Sequence, residues 1–141
     1  GFLRIVVTNQ AGVARGMYQE KDIHAVHQRI RELLAEQGAD VDEFFYCPHH
    51  EKFTGECACR KPAPGMLLAA AAKYDIDMAR SFMVGDRLSD LEAGRNAGCA
   101  VSYLVRTGYG EKVLSEGAVS PEYPVADDLL SAVEDFVRRG Q

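Results

Sequence analysis

The sequence predicts an α/β fold, a Rossmann-like parallel sheet with flanking helices. Three observations predict it. Short β-branched or aromatic runs recur along the chain, stretches with the spacing of one-sided helices separate them, and two polar signals, Thr8-Asn9 and Gly85-Asp86, fall directly after such runs. Strands alternating with helices pair in parallel through right-handed crossovers, and sheets of this kind bind ligands beyond the carboxyl ends of their strands.

The elements follow in order. Residues 3–7 are a short β-branched run closed by Thr8-Asn9-Gln10, which reads as a strand. Between residues 20 and 37, Ile23, Val26, Ile30, Leu33 and Leu34 share one helical face, and Gly38 stops the helix. Phe44-Phe45-Tyr46 is a second strand. Pro64 suits a first helical turn, continued by Met66, Leu67, Ala70, Ala71 and Tyr74. Residues 81–84 read as strand, 88–97 as a helix ended by Gly98, 99–105 as strand and 128–139 as a closing helix. Residues 109–124, with Gly110, Gly117, Pro121 and Pro124, read as a surface loop. With no internal repeat or low-complexity tract, residues 1–141 are expected to form one domain.

Composition narrows the function. The chain has 141 residues, 47% hydrophobic and 26% charged, with a formal charge of −5, ordinary values for a globular domain. The negative balance argues against broad nucleic-acid or anionic-membrane binding, which needs basic patches. No apolar run reaches the roughly 20 residues that span a bilayer, and Gly1-Phe2-Leu3-Arg4 does not begin a signal peptide. A cytoplasmic monomer is expected, with reduced cysteines.

Two metal signals stand out. Cys47, His49, Cys57 and Cys59 fall within 13 positions of a chain with four cysteines, and four sulfur or nitrogen ligands in two close pairs suit structural Zn2+. Such a closed set leaves no position for water, so the metal orders a loop. His50 is read as a solvated neighbour. The second signal is Gly85-Asp86-x-x-x-Asp90: a carboxylate at a strand end suits Mg2+ beside a phosphate, with Asp90 bracing it one turn later. An ordinary helix N-terminus carries the same residues.

Thr8 and Asn9 offer a hydroxyl and an amide at a strand end for phosphate oxygens. Arg60 and Lys61 add a bidentate fork and a compact charge directly after the zinc pair.

Thr8 to Gly16, the Cys-Pro-His-His and Cys-x-Cys-Arg-Lys-Pro segments, Met83-Val84-Gly85-Asp86 and Leu104-Val105-Arg106-Thr107-Gly108 occur in the order found in the haloacid dehalogenase superfamily of phosphatases. The chain resembles that superfamily over essentially all its length, and within it the branch acting on heptose bisphosphates, whose near relatives act on histidinol phosphate. The resemblance implies Mg2+-dependent hydrolysis of a small phosphorylated sugar through an aspartyl-phosphate. It implies Thr8 and Lys61 as catalytic groups on the transferred phosphoryl, Thr8, Asn9, Gln10, Ala11, Arg60 and Lys61 as substrate contacts, and Arg60 on the second phosphate. Asp86 is the implied Mg2+ ligand with Asp90 behind it, and Cys47, His49, Cys57 and Cys59 are the implied Zn2+ ligands. Histidinol-phosphate hydrolysis and a non-enzymatic zinc-binding scaffold are the alternatives; Ala11 to Gly16 favours the heptose branch.

The departure from that family is its nucleophile. Its first strand ends in Asp-x-Asp-Gly-Thr, whereas here Asp40-Val41-Asp42 and Asp75-Ile76-Asp77 each precede an apolar run and read as loop. The chain is therefore expected to start after that strand, as an N-terminally truncated piece of a longer product, inactive alone.

Overall fold

A computed structural model describes residues 1–140 and divides them into two compact units, Gly1–Arg60 and one starting at Lys61. In the first unit β1 (Ile5–Asn9) and β2 (Glu43–Cys47) pair in parallel, Ile5 opposite Glu43 and Asn9 opposite Cys47. The Arg4 amide donates to Asp42 Oδ2 at 2.6 Å, and the Asp42 amide returns a bond to the Arg4 carbonyl at 2.8 Å, which pins the register where the ladder starts. The Arg4 amide holds the Asp42 carboxyl below its usual range.

α1 (Glu20–Ala35) makes the parallel connection. It starts where Asp22 Oδ2 accepts the Gln19 amide at 2.8 Å, a reciprocal of the kind that begins helices. Its inner side meets β2: the His27 ring stacks on Phe44 at 4.2 Å, and Tyr46 Oη donates to Glu20 Oε1 at 2.6 Å. Ile23 is buried, whereas Val26 and Leu33 are exposed. After β2 comes α2 (Glu51–Thr54), a single turn that hydrophobic periodicity does not reveal.

The second unit holds α3 (Gly65–Tyr74), a 3-10 turn (Met78–Arg80), β3 (Phe82–Gly85), α4 (Leu88–Asn96), β4 (Val101–Val105), α5 (Gly110–Ser115), β5 (Val125–Ala126) and α6 (Leu129–Arg138). The sheet runs β3-β4-β5, parallel throughout. β4 is its centre because alternate side chains serve opposite faces. Tyr103 and Val105 join Ala132 and Phe136 of α6, with Phe82 stacked on Phe136 at 4.1 Å; Leu104 faces Leu91 of α4 and Tyr123. Tyr103 Oη donates to Asp135 Oδ2 at 2.6 Å, so this buried phenol is satisfied.

The predicted strands and long helices are present as parallel sheets with flanking helices. α5 lies inside the stretch expected to be loop, a correction explained by its six residues. The Asp-x-Asp strings do not close strands: Asp42 precedes β2, and Asp75 and Asp77 lie between α3 and the 3-10 turn, Asp75 as the left-handed cap of α3. No helix of the described residues is long and apolar enough to cross a membrane.

Candidate functional site

Each unit brings site residues to the ends of its strands. In the first, Thr8 and Asn9 close β1 and Cys47 closes β2. Gln10 ties these ends together: its amide donates to the Cys47 carbonyl at 2.7 Å, its Nε2 to Thr8 Oγ1 at 3.1 Å, and its Oε1 accepts from Tyr18 Oη at 2.6 Å. A side chain expected to touch substrate therefore braces Thr8. The Ala11 carbonyl accepts the Arg15 amide at 3.1 Å, turning the loop back on itself.

Three thiols converge in this unit. Cys47 Sγ lies 3.4 Å from Cys57 Sγ and 2.6 Å from Cys59 Sγ, and Cys57 and Cys59 are 3.3 Å apart. Zinc–sulfur bonds of about 2.3 Å place tetrahedral sulfurs ~3.8 Å apart; the two separations to Cys57 approach that spacing, while Cys47 and Cys59 sit closer than it. Burial pushes Cys47 and Cys59 upward, while for Cys57 the hydrogen bonds from Cys59 and Cys47 outweigh burial and lower it. Three sulfurs sharing protons at this spacing are the donor set a thiophilic cation takes up.

His49 stands apart from this group; its backbone amide, not its ring, hydrogen-bonds Cys47. His50 corrects the expectation of a solvated neighbour. It is 6% exposed, because its backbone caps α2 and its Nδ1 accepts the Lys52 amide at 3.1 Å. Arg60 approaches Glu51 Oε2 at 3.8 Å through Nε, and its Nη1 is buried without a partner.

In the second unit, Asp90 is 6% exposed and fully used. Its Oδ1 pairs with Lys61 Nζ at 2.5 Å, and its Oδ2 accepts the Asp86 and Arg87 amides at 3.2 Å each. It thus braces the backbone of the turn and fixes the lysine at once. A Cβ on Gly85 would come 2.3 Å from Asp90 Cβ, which is why the strand ends in glycine.

The Asp86 carboxylate is aimed from a second loop. Its Oδ2 accepts the Tyr109 amide at 2.9 Å, while Gly108, at φ +62°, passes so close that a Cβ would sit 2.2 Å from that oxygen. Oδ1 makes no hydrogen bond among the described residues. One oxygen fixed and one uncommitted, beside a lysine held by a neighbouring carboxylate, fits a hard divalent cation. Sequence spacing shows Asp86 and Asp90; it missed the Gly108-Tyr109 contribution, whose only sign is a glycine just past a strand end.

Residues 58–132 match the HAD-hydrolase-like family model. The chain is 46% identical over 141 residues to the D-glycero-beta-D-manno-heptose-1,7-bisphosphate 7-phosphatase of Escherichia coli, covering 96% of this chain and 70% of that protein. It is 41% identical to the alpha-named counterpart of Photorhabdus laumondii, covering 84% of this chain and 68% of the other. Among solved structures, the D,D-heptose 1,7-bisphosphate phosphatase from Bordetella bronchiseptica, complexed with magnesium and phosphate, superposes with a TM-score of 0.88 at 39% identity, over 97% of this chain and 75% of that one. Matches of this extent, together with parallel strands that end at Thr8-Asn9 in one unit and just before Asp86 in the other, mean that the chain belongs to the HAD-hydrolase-like family of phosphatases.

Proposed function

We propose that this chain handles phosphate in a Mg2+-dependent phosphoric monoester hydrolase that removes the C7 phosphate of D-glycero-D-manno-heptose 1,7-bisphosphate. The observation that carries the reading is the Lys61–Asp90–Asp86 arrangement, a cation and a metal-ready carboxylate prepared without ligand, in a chain so similar to phosphatases of that name. That similarity, across nearly the whole chain, favours it over histidinol-phosphate hydrolysis and over a zinc scaffold. Relatives of both anomeric names match, so the reading is set at the level of the heptose bisphosphate.

Asp86 would hold Mg2+ through Oδ1. When bound, the ion supplies charge neutralisation at the phosphoryl oxygens. Lys61 Nζ donates to a phosphoryl oxygen while Asp90 keeps it in place. In the first unit Thr8 Oγ1, oriented by Gln10 Nε2, offers its proton to a phosphate oxygen. Such fixed donors act where charge develops in the transition state. Arg60 receives the phosphate that stays on the sugar, Asn9 and the Gln10-Ala11 backbone line the approach, and Cys47, Cys57 and Cys59 would hold structural Zn2+, with His49, which stands apart from the three thiols, brought in as the fourth ligand, in a cytoplasmic enzyme of carbohydrate metabolism.

No Asp-x-Asp closes a strand among the described residues, so the attacking carboxylate is assigned to a further strand of the working enzyme. Phosphorus NMR of heptose 1,7-bisphosphate hydrolysis by this chain joined to a strand ending in Asp-x-Asp tests the reading. Loss of the C7 monoester signal with the anomeric phosphate retained is expected; loss of the anomeric phosphate first, or preference for histidinol phosphate, sinks it.

A further inference from the structure

The Arg15–His50 contact is short of an acceptor. His50 Nδ1 takes the Lys52 amide at 3.1 Å, which places its lone pair there and, in the neutral ring, puts the proton on Nε2. Nε2 lies 3.3 Å from Arg15 Nη2. A guanidinium nitrogen carries donors alone, so two N–H groups face each other with no oxygen among the described residues to receive them. The arrangement is held in place. The His50 ring is buried and packs edge-on against Phe53 at 5.5 Å, and the exposed Arg15 guanidinium lies 5.9 Å from that same ring. Arg60, whose Nη1 is buried without a partner, leans on Glu51 of the same helical turn.

We infer that Arg15 and His50 form an anion subsite on α2, binding an oxygen of the phosphate that remains on the sugar; this rests on the bisphosphate reading above. A cation is excluded by the guanidinium, and zinc ligation by His50 is excluded because Nδ1 is taken and Nε2 faces a positive group. An anionic oxygen accepts from Arg15 Nη2 and His50 Nε2 together. A phosphate dianion has further oxygens for Arg60, the pairing that a planar fork of donors favours.

The test is calorimetry on the zinc- and magnesium-loaded chain with two probes, heptose 1,7-bisphosphate and inorganic phosphate. The unaltered chain is expected to bind the bisphosphate at least about tenfold more tightly than inorganic phosphate. Arg15→Ala, which removes an exposed side chain, is expected to remove about tenfold of bisphosphate affinity and to weaken inorganic phosphate distinctly less, with Arg15→Lys recovering only part. Imidazole nitrogen NMR is expected to show His50 as the Nε2–H tautomer, its signal moving with the bisphosphate alone. Unchanged bisphosphate affinity in Arg15→Ala, equal losses for both probes, or an Nδ1–H tautomer overturns the subsite and leaves the substrate reading standing. An unaltered chain that prefers inorganic phosphate overturns both.

Discussion

The thiol cluster and the acidic turn are both metal-ready, and they are ready in opposite ways. Cys47, Cys57 and Cys59 have mainly one another: sulfurs 2.6–3.4 Å apart, two of them raised by burial. Asp90, by contrast, has both oxygens occupied by Lys61 and two backbone amides, and Asp86 has one oxygen fixed by Tyr109. The first arrangement would be completed by an ion, which would make metal binding and loop order one process. The second is assembled by the chain beforehand and adds its ion late, as sites that must position charge do. On the proposed reading, a structural and a catalytic metal would differ in who satisfies the ligands first.

The largest expected effect sharpens the preassembled side. The 141-residue chain assayed alone with Mg2+ gives no turnover of heptose 1,7-bisphosphate, and supplying a strand that ends in Asp-x-Asp restores it, because positioning without a nucleophile leaves slow water attack. In that restored enzyme Asp86→Asn lowers kcat on the order of a hundredfold or more, with circular dichroism unchanged. Turnover by the chain alone, lost in Asp86→Asn, would show that the nucleophile is wrongly assigned.

Zinc removal probes the other side. Chelation, or Cys57→Ser, is expected to release the ion and to open amide exchange across residues 47–59, at a cost set by a binding free energy of about 10 kcal/mol, while the amides of β3 and β4 keep their protection. Elemental analysis without zinc, or equal loss of protection in β3 and β4, breaks the comparison.

A smaller loss is expected at Lys61. Its side chain is 11% exposed and that of its partner Asp90 9%, so Lys61→Ala strands a buried carboxylate and is expected to cost about 3–5 kcal/mol in urea unfolding. Adding Asp90→Asn to Lys61→Ala recovers much of that stability without recovering activity. A single substitution that leaves stability unchanged would show the pair to be solvated.

Much of this was legible in the sequence, and the reason differs by element. β4 and α1 were visible because an apolar run or a repeating face extends over whole elements. α2 and α5 were not, since four and six residues offer barely one turn of periodicity. Asp86 and Asp90 were visible as a pair four apart. Their partners were hidden: Lys61 lies 29 positions before Asp90, and Tyr109 acts through its backbone amide, which no side-chain pattern encodes. His50 is buried where the sequence suggests a solvated neighbour, because burial depends on where its helical turn rests, whereas its neighbour His49, of the same residue type, is only half-buried.

The smallest effect separates the units by pH. Tyr103 is 1% exposed, and burial, followed by its hydrogen bond to Asp135, pushes its phenol up to about 12 from the ordinary value of 10.0. The folded state therefore favours the neutral phenol. This stabilisation is fully present below pH ~10, where the unfolded tyrosine begins to ionise, and is lost as pH rises toward about 12. Tyr103→Phe removes that dependence. It forfeits about 1 kcal/mol of hydrogen bond at neutral pH and then shows a flatter stability curve between pH 10 and 12, read by denaturant titration at each pH. Because Tyr103 belongs to the sheet whose strand β3 precedes Asp86, the effect is expected in β3–β4 amide protection and not in residues 47–59. Identical alkaline profiles for Tyr103→Phe and the unaltered chain would show that the phenol titrates as it does in water.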